Sequence, residues 1–187
     1  AAKDVGLSGL MHFILEEGPS PDQRAGFKAY SDPKDTDSET KLQPLAPKAP
    51  FSAFVFKTVN DDYAGRLSLF KVITGKVSGD CNLTNVANGE TMRAGHVFAL
   101  RGKSQVKVDE LQTGDIGSFA KLSVVHTGDT LAENGSTVRY EPTHMPHPTV
   151  IMALHTKDRS EEDKVSMALH RLLEQDPTLH LERDPLL

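Results

Sequence analysis

A single cysteine, no tryptophan and no long apolar run set the first limits on this chain of 187 residues. The lone thiol, Cys81, cannot close an internal disulfide, which fits a reducing compartment. It reads as a small half-buried strand residue. The apolar run near Met11 to Leu15 is far shorter than the roughly 20 residues that span a bilayer. The N-terminus also lacks the basic, apolar and cleavage-site order of a signal peptide. A membrane role is not expected, and the chain is assigned to the cytoplasm. Catalytic signatures are scarce too. There is no Gly-x-x-x-x-Gly-Lys-Ser/Thr phosphate loop, no Asn-Lys-x-Asp motif, and no serine or cysteine in a recognisable nucleophile signature. Eight histidines invite a metal site, and His144 and His147 are close in sequence. They sit in a proline-rich stretch without the three or four fixed donors that zinc requires, so no metal is expected.

What is present is ordinary in bulk and uneven in charge. An apolar fraction of 37% suffices for one ordinary domain or two small ones. The formal net charge of −5 argues against binding nucleic acid through an overall field. Between Arg66 and Lys107, however, seven basic residues stand against only Asp80 and Glu90. A basic stretch on an acidic chain can meet phosphates by counterion release while the rest of the surface is repelled, which suits docking on a shaped RNA. Arg66, Lys71, Lys76, Arg93, Arg101 and Lys103 are the candidate RNA-contacting residues. The alternative is the solvated face of a structural barrel that makes only protein contacts.

Leu7, Leu10, Met11, Ile14 and Leu15 have the spacing of an amphipathic helix running from Gly6 to Glu17. Gly18-Pro19 should end it, through a left-handed glycine and a proline that cannot extend the helix. Residues 19–49 are rich in Ser, Asp and Pro and predict an extended or partly disordered connector. From Phe51 to Leu131 the pattern turns to period two: Ala53, Val55 and Lys57 alternate with Phe54, Phe56 and Thr58, and Leu67, Leu69 and Lys71 with Ser68, Phe70 and Val72. Asn88-Gly89 suits a type I′ hairpin turn and Arg101-Gly102-Lys103 a second turn. Further strands fit His96 to Leu100, Val106 to Val108, Ser118 to Val124 and Val138 to Tyr140. Turns at this density, without helical period, predict an antiparallel barrel or sandwich. Beyond Pro148, Val150 to Leu154 reads as a buried strand and Leu179 to Arg183 as a returning one. Between them lies a helix capped by Ser160, with Val165, Ala168, Leu169 and Leu172 on its apolar stripe and Asp176-Pro177 as its stop.

Three Gly-Asp pairs punctuate the strand-rich segment: Ser78-Gly79-Asp80, Thr113-Gly114-Asp115-Ile116 and Thr127-Gly128-Asp129-Thr130-Leu131. Pro50-Phe51-Ser52-Ala53 and Asp61-Asp62-Tyr63-Ala64-Gly65-Arg66-Leu67 precede them. This ordered set resembles the second domain of translation elongation factor G. Asp163-Lys164, Ala168-Leu169, Arg171-Leu172 and Asp176-Pro177-Thr178 are similar to the first helix of that family's third domain, a ferredoxin-like unit. Ala1-Ala2-Lys3 resembles the tail of the family's fifth guanine-nucleotide motif without its serine, which makes Ala1 and Ala2 remnant nucleotide-binding residues.

The resemblance implies a mainly β fold with α+β parts: an antiparallel β-barrel of the translation-factor domain II type, an N-terminal helix, and a partial ferredoxin-like βαβ unit. Residues 1–18 would close a GTPase domain, 19–49 link, 50–141 form the barrel and 142–187 begin the third domain. The chain would be the ribosome-binding middle piece of a translational GTPase acting in translocation, a monomer that meets small-subunit ribosomal RNA, ribosomal protein and its own GTPase domain. GTP and magnesium would belong to that upstream domain, with no cofactor and no catalytic residue in this chain. Met145-Pro146-His147-Pro148 departs from the family, which tends to place an acidic residue between two prolines, and Leu179 to Leu187 matches poorly. Ribosome-protection and release-factor GTPases share this domain order.

Overall fold

The computed structural model describes residues 4–61, 65–102, 104–156 and 158–182. Its elements run α1 (Leu7–Glu17), β1 (Phe27–Tyr30), β2 (Thr40–Gln43), β3 (Ser52–Asp61), β4 (Gly65–Thr74), β5 (Lys76–Ser78), β6 (Cys81–Asn85), β7 (Thr91–Ala94), β8 (Val97–Arg101), β9 (Ser104–Val108), β10 (Glu110–Gln112), β11 (Ile116–Ala120), β12 (Thr130–Ala132) and α2 (Glu162–Gln175). Eight strands form one antiparallel sheet in the order β7-β6-β12-β3-β4-β11-β8-β9, curled into a half-barrel. Two-stranded sheets pair β1 with β2 and β5 with β10. The mainly β fold expected from the period-two pattern is therefore present.

Bulges decide which residues fill the core. The alternation in β3 holds to Val55, and an irregularity at Phe56, between the pairs Val55↔Phe70 and Lys57↔Leu69, then reverses its phase. Ala53 and Val55 are buried before it, Thr58 after it, and Phe56 stays exposed. A second register shift, opposite Ser52 and Ala53, splits neighbouring residues of β4. Val72 joins the main core while Ile73 is buried in a separate cluster with Ala29 and Tyr140. In the main core Phe70 and Phe119 stack with centroids 4.8 Å apart, and Phe51 meets Phe70 edge-on at 6.4 Å. Each such ring contributes about 3–5 kcal/mol relative to alanine.

Two of the Gly-Asp turns are one structure used twice. Gly114 N donates to Val72 O and Val72 N to Asp115 O, both at 2.9 Å; Gly128 N donates to Val55 O at 2.8 Å and Val55 N to Asp129 O at 2.9 Å. Both glycines sit at φ 97°, a conformation that side-chain-bearing residues rarely adopt. Each carboxylate closes its own turn: Asp115 Oδ2 accepts from Gln112 N at 2.8 Å, and Asp129 Oδ2 from His126 N at 2.7 Å. Every turn thus extends its ladder by one residue before the chain turns away.

Residues 19–49, expected as an extended or partly disordered connector, contain a 3-10 turn at Pro21–Gln23 and the β1–β2 hairpin, in register from Phe27↔Gln43 to Tyr30↔Thr40. The apolar surface that orders the hairpin comes from elsewhere in the chain. Phe27 and Ala29 pack with Phe54, Ile73, Val138 and Tyr140 on the outer face of the half-barrel. Tyr30 N donates to Arg139 O and Glu141 N to Lys28 O, both at 2.9 Å, so the segment leaving the half-barrel runs beside the one arriving.

Of the expected C-terminal strand, helix and strand, only the helix is present among the described residues. Residues 142–156 and 179–182 form no strand, Arg183 lies outside the described residues, and Ile151 is 97% exposed. An apolar run becomes a strand only when a neighbouring edge takes up its N–H and C=O groups, and no described strand does so here. The cap of α2 is Glu161, following a 3-10 turn at Arg159–Glu161, rather than Ser160. Local turn chemistry also differs in detail. Gly18 closes α1 at φ −73°, so glycine is required there not for a left-handed turn but because a Cβ would collide with Ile14 O. In the loop 86–90, Gly89 has a positive φ and Asn88 does not, which is not a type I′ turn. The strand expected to reach Val124 stops at Ala120, where Lys121 adopts φ 64°.

Candidate nucleic-acid interface

The basic stretch does not become one face. Arg66 and Lys71 are an odd number of residues apart on an unbroken part of β4 and point to opposite sides of the sheet. Arg66 turns inward, its side chain 12% exposed, donating to Ser123 O at 2.9 Å and Val125 O at 2.6 Å and pairing with Glu174 of α2 at 3.6 Å. Lys71 Nζ lies 5.9 Å above the Phe27 ring, at the hairpin junction. Lys76 pairs with Glu110 across β5 and β10 at 2.8 Å. Arg101 is exposed at the β8–β9 turn, where it pairs with Ser104 and Gly102 takes a positive φ. Ala1, Ala2 and Lys103 lie outside the described residues.

Arg93 has different company. On β7 it pairs with Asn82 on the exposed side, one step from the core pair Cys81↔Ala94. The Ser78-Gly79-Asp80 turn folds back onto this end, with Asp80 at φ 58° and its N–H bonded to Gly95 O at 2.9 Å. Aspartate is among the residues that tolerate this left-handed conformation. Asp80 Oδ1 thereby lies 3.7 Å from Arg93, and Oδ2 lies 3.9 Å from His96 Nδ1. His96 precedes β8, whose pairing Phe98↔Lys107 brings Lys107 Nζ to 3.3 Å from His96 Nε2. Arg93, Asp80 and His96 side chains are 73%, 60% and 52% exposed. His96 and Lys107 were not among the candidate contacts. His96 is one of eight scattered histidines in sequence, and only the β8–β9 register joins it to Lys107.

Beside this cluster Cys81 is half-buried, and burial first, then the Asp80 carboxylate, pushes its thiol pKa up, against a lowering backbone hydrogen bond. Such a thiol is a poor nucleophile. Among the described residues no group of three His, Cys, Asp or Glu side chains could hold a metal ion, and His144 lies 3.9 Å from Glu141 alone. No described helix is long and apolar enough to cross a membrane. What the exposed cluster can do chemically is hold an anion.

Residues 50–134 match the family model described as elongation factor G domain 2, and residues 145–185 match that of elongation factor G, domain III. The two segments follow in the family's order and make up more than half of the chain. The chain belongs to the elongation factor G family. Along 99% of its length it is 34% identical to an elongation factor G-like protein of Thermotoga maritima, of which it spans 26%. A crystal structure of a Thermus thermophilus protein superposes on 96% of the chain with a TM-score of 0.71 and 28% identity, the chain spanning 24% of that protein. This elongation factor G-type chain thus spans about a quarter of the length of the relatives it matches. Its half-barrel is the domain 2 segment, and α2 lies within the domain III match.

Proposed function

We propose that this chain is the ribosome-docking middle part of an elongation factor G-type translational GTPase acting in translocation in the cytoplasm. The observation that carries the reading is the consecutive match to domains 2 and III in the family's order. In the full-length protein, GTP and magnesium would be held by a GTPase domain. The residues of this chain do not fit that role, since they include no phosphate-loop sequence, and no step of hydrolysis is assigned to them. The chain's part is to dock on small-subunit ribosomal RNA and protein, as a monomer, and to pass a rigid-body rearrangement to the domain III segment. Co-sedimentation of the full-length protein with purified ribosomes, with and without a non-hydrolysable GTP analogue, tests this. Analogue-dependent pelleting is expected; absence of pelleting in either state would overturn it.

A second reading is favoured by a specific observation. Arg66 and Lys76 are already paired within the protein, and Leu10, Met11, Phe13 and Ile14 of α1 are exposed. A module that contacts only protein, its own GTPase domain first, would show the same features, and binding of the 187-residue chain by itself to purified ribosomes separates the two. A ribosome-protection or release-factor role is distinguished from translocation by a peptide-synthesis assay.

A further inference from the structure

Resting on the ribosome-docking reading, we infer that Arg93, His96 and Lys107 form one RNA-phosphate site, with Asp80 as the internal counter-ion that a phosphate displaces. Arg93 stands on β7 and Lys107 on β9, the two outermost strands of the sheet order, yet contacts of 3.7, 3.9 and 3.3 Å through Asp80 and His96 join them. The cluster therefore bridges the two edges of the half-barrel. Asp80 is the single carboxylate in a cluster that also holds the Arg93 guanidinium and, joined through His96, the Lys107 ammonium, so the cluster is net positive. Asp80 sits at ion-pair distance from Arg93 and His96 but beyond good hydrogen-bond length, which leaves their N–H groups open to a better-placed acceptor. A phosphodiester presents two unbridged oxygens, which match a planar guanidinium on one side and an ammonium on the other. A protein carboxylate would offer only what Asp80 already supplies, whereas an RNA backbone adds counterion release. Strand register holds the donors in place, so binding need not order a loop first.

The test is the salt dependence of binding of the 187-residue chain to purified ribosomes and to deproteinised small-subunit rRNA, between about 50 and 200 mM KCl. Losing one phosphate contact lowers the slope of log K against log salt by about 0.7–0.9, which shrinks the affinity loss over that range by about threefold. Arg93→Ala and Lys107→Ala should each do this, with unfolding midpoints showing that the variants fold. Asp80→Asn keeps a residue that tolerates the left-handed φ and should tighten binding about fivefold at low salt. Lys41→Ala, an exposed lysine of β2, should leave the slope unchanged. Unaltered slopes in Arg93→Ala and Lys107→Ala, or an equal loss in Lys41→Ala, would overturn the phosphate site and leave ribosome docking standing. Binding to ribosomes without binding to the rRNA would also overturn it. If the unsubstituted chain binds neither, the docking reading itself fails.

Discussion

Tyr140 is buried where three hydroxyls meet. Ser52 Oγ lies 2.6 Å from both Thr74 Oγ1 and Tyr140 Oη, and Thr74 Oγ1 donates to Pro50 O at 2.7 Å. Burial pushes the phenol pKa from 10.0 up to about 12, with the bonds to Ser52 and Thr74 pulling part of the way back. The folded state therefore holds this proton more tightly than the unfolded chain. Its contribution is complete below pH 10.0 and is lost as the pH rises towards about 12. Urea unfolding should show stability falling by about 2–3 kcal/mol across that window. Tyr140→Phe should abolish the slope while costing about 1 kcal/mol at neutral pH; a slope that survives the substitution would place it on another group. In the sequence Tyr140 is legible only as the end of a short strand, because part of the surface that buries it belongs to a hairpin hidden in a polar stretch. The glycines of the Gly-Asp turns were legible because their conformational demand is local: φ 97° at Gly114 and Gly128 is set by the backbone around them.

Among the elements, the β1–β2 hairpin is the one composition hid. Residues 19–49 hold few apolar groups, and Phe27 and Ala29 order the segment only because Phe54, Ile73 and Tyr140 face them. The Phe27 ring meets Tyr140 edge-on at 6.3 Å and lies under the Arg24 guanidinium at 3.9 Å. Phe27→Ala should lower the hydrogen-exchange protection of the Tyr30 and Glu141 amides together, by about tenfold, as expected for removing a half-buried aromatic side chain. Amides of β3 and β4 should keep theirs; loss of protection there as well would mean that the hairpin and half-barrel unfold as one unit. Val150 to Leu154 is the opposite case. Its sequence suits a strand, but β structure needs a partner edge, and the run itself carries no information about whether one is present.

Across the whole molecule, Arg66 joins the half-barrel, the 121–125 segment and α2 through Ser123 O, Val125 O and Glu174. Arg66→Ala should cost about 2–3 kcal/mol from lost charge-assisted bonds, and Glu174→Gln, at a partly exposed ion pair, less than about 1 kcal/mol, both read by urea unfolding. The salt slope of ribosome binding should be unchanged in Arg66→Ala, in contrast to Arg93→Ala; a matching decrease would return Arg66 to the RNA-facing set. The period-two strands, both helices, the repeated Gly-Asp turns and their family order are all legible without a structure, because each is written in local spacing and in backbone conformations that few residues can adopt. Which basic side chains share a surface is set by folding alone. A bulge at Phe56 reverses the phase of β3, alternation sends Arg66 and Lys71 to opposite faces, and curling of the sheet joins Arg93 and Lys107 from its two outermost strands. Side chains separated along the chain meet through sheet order and register, which are set by long-range packing and not by neighbours in sequence.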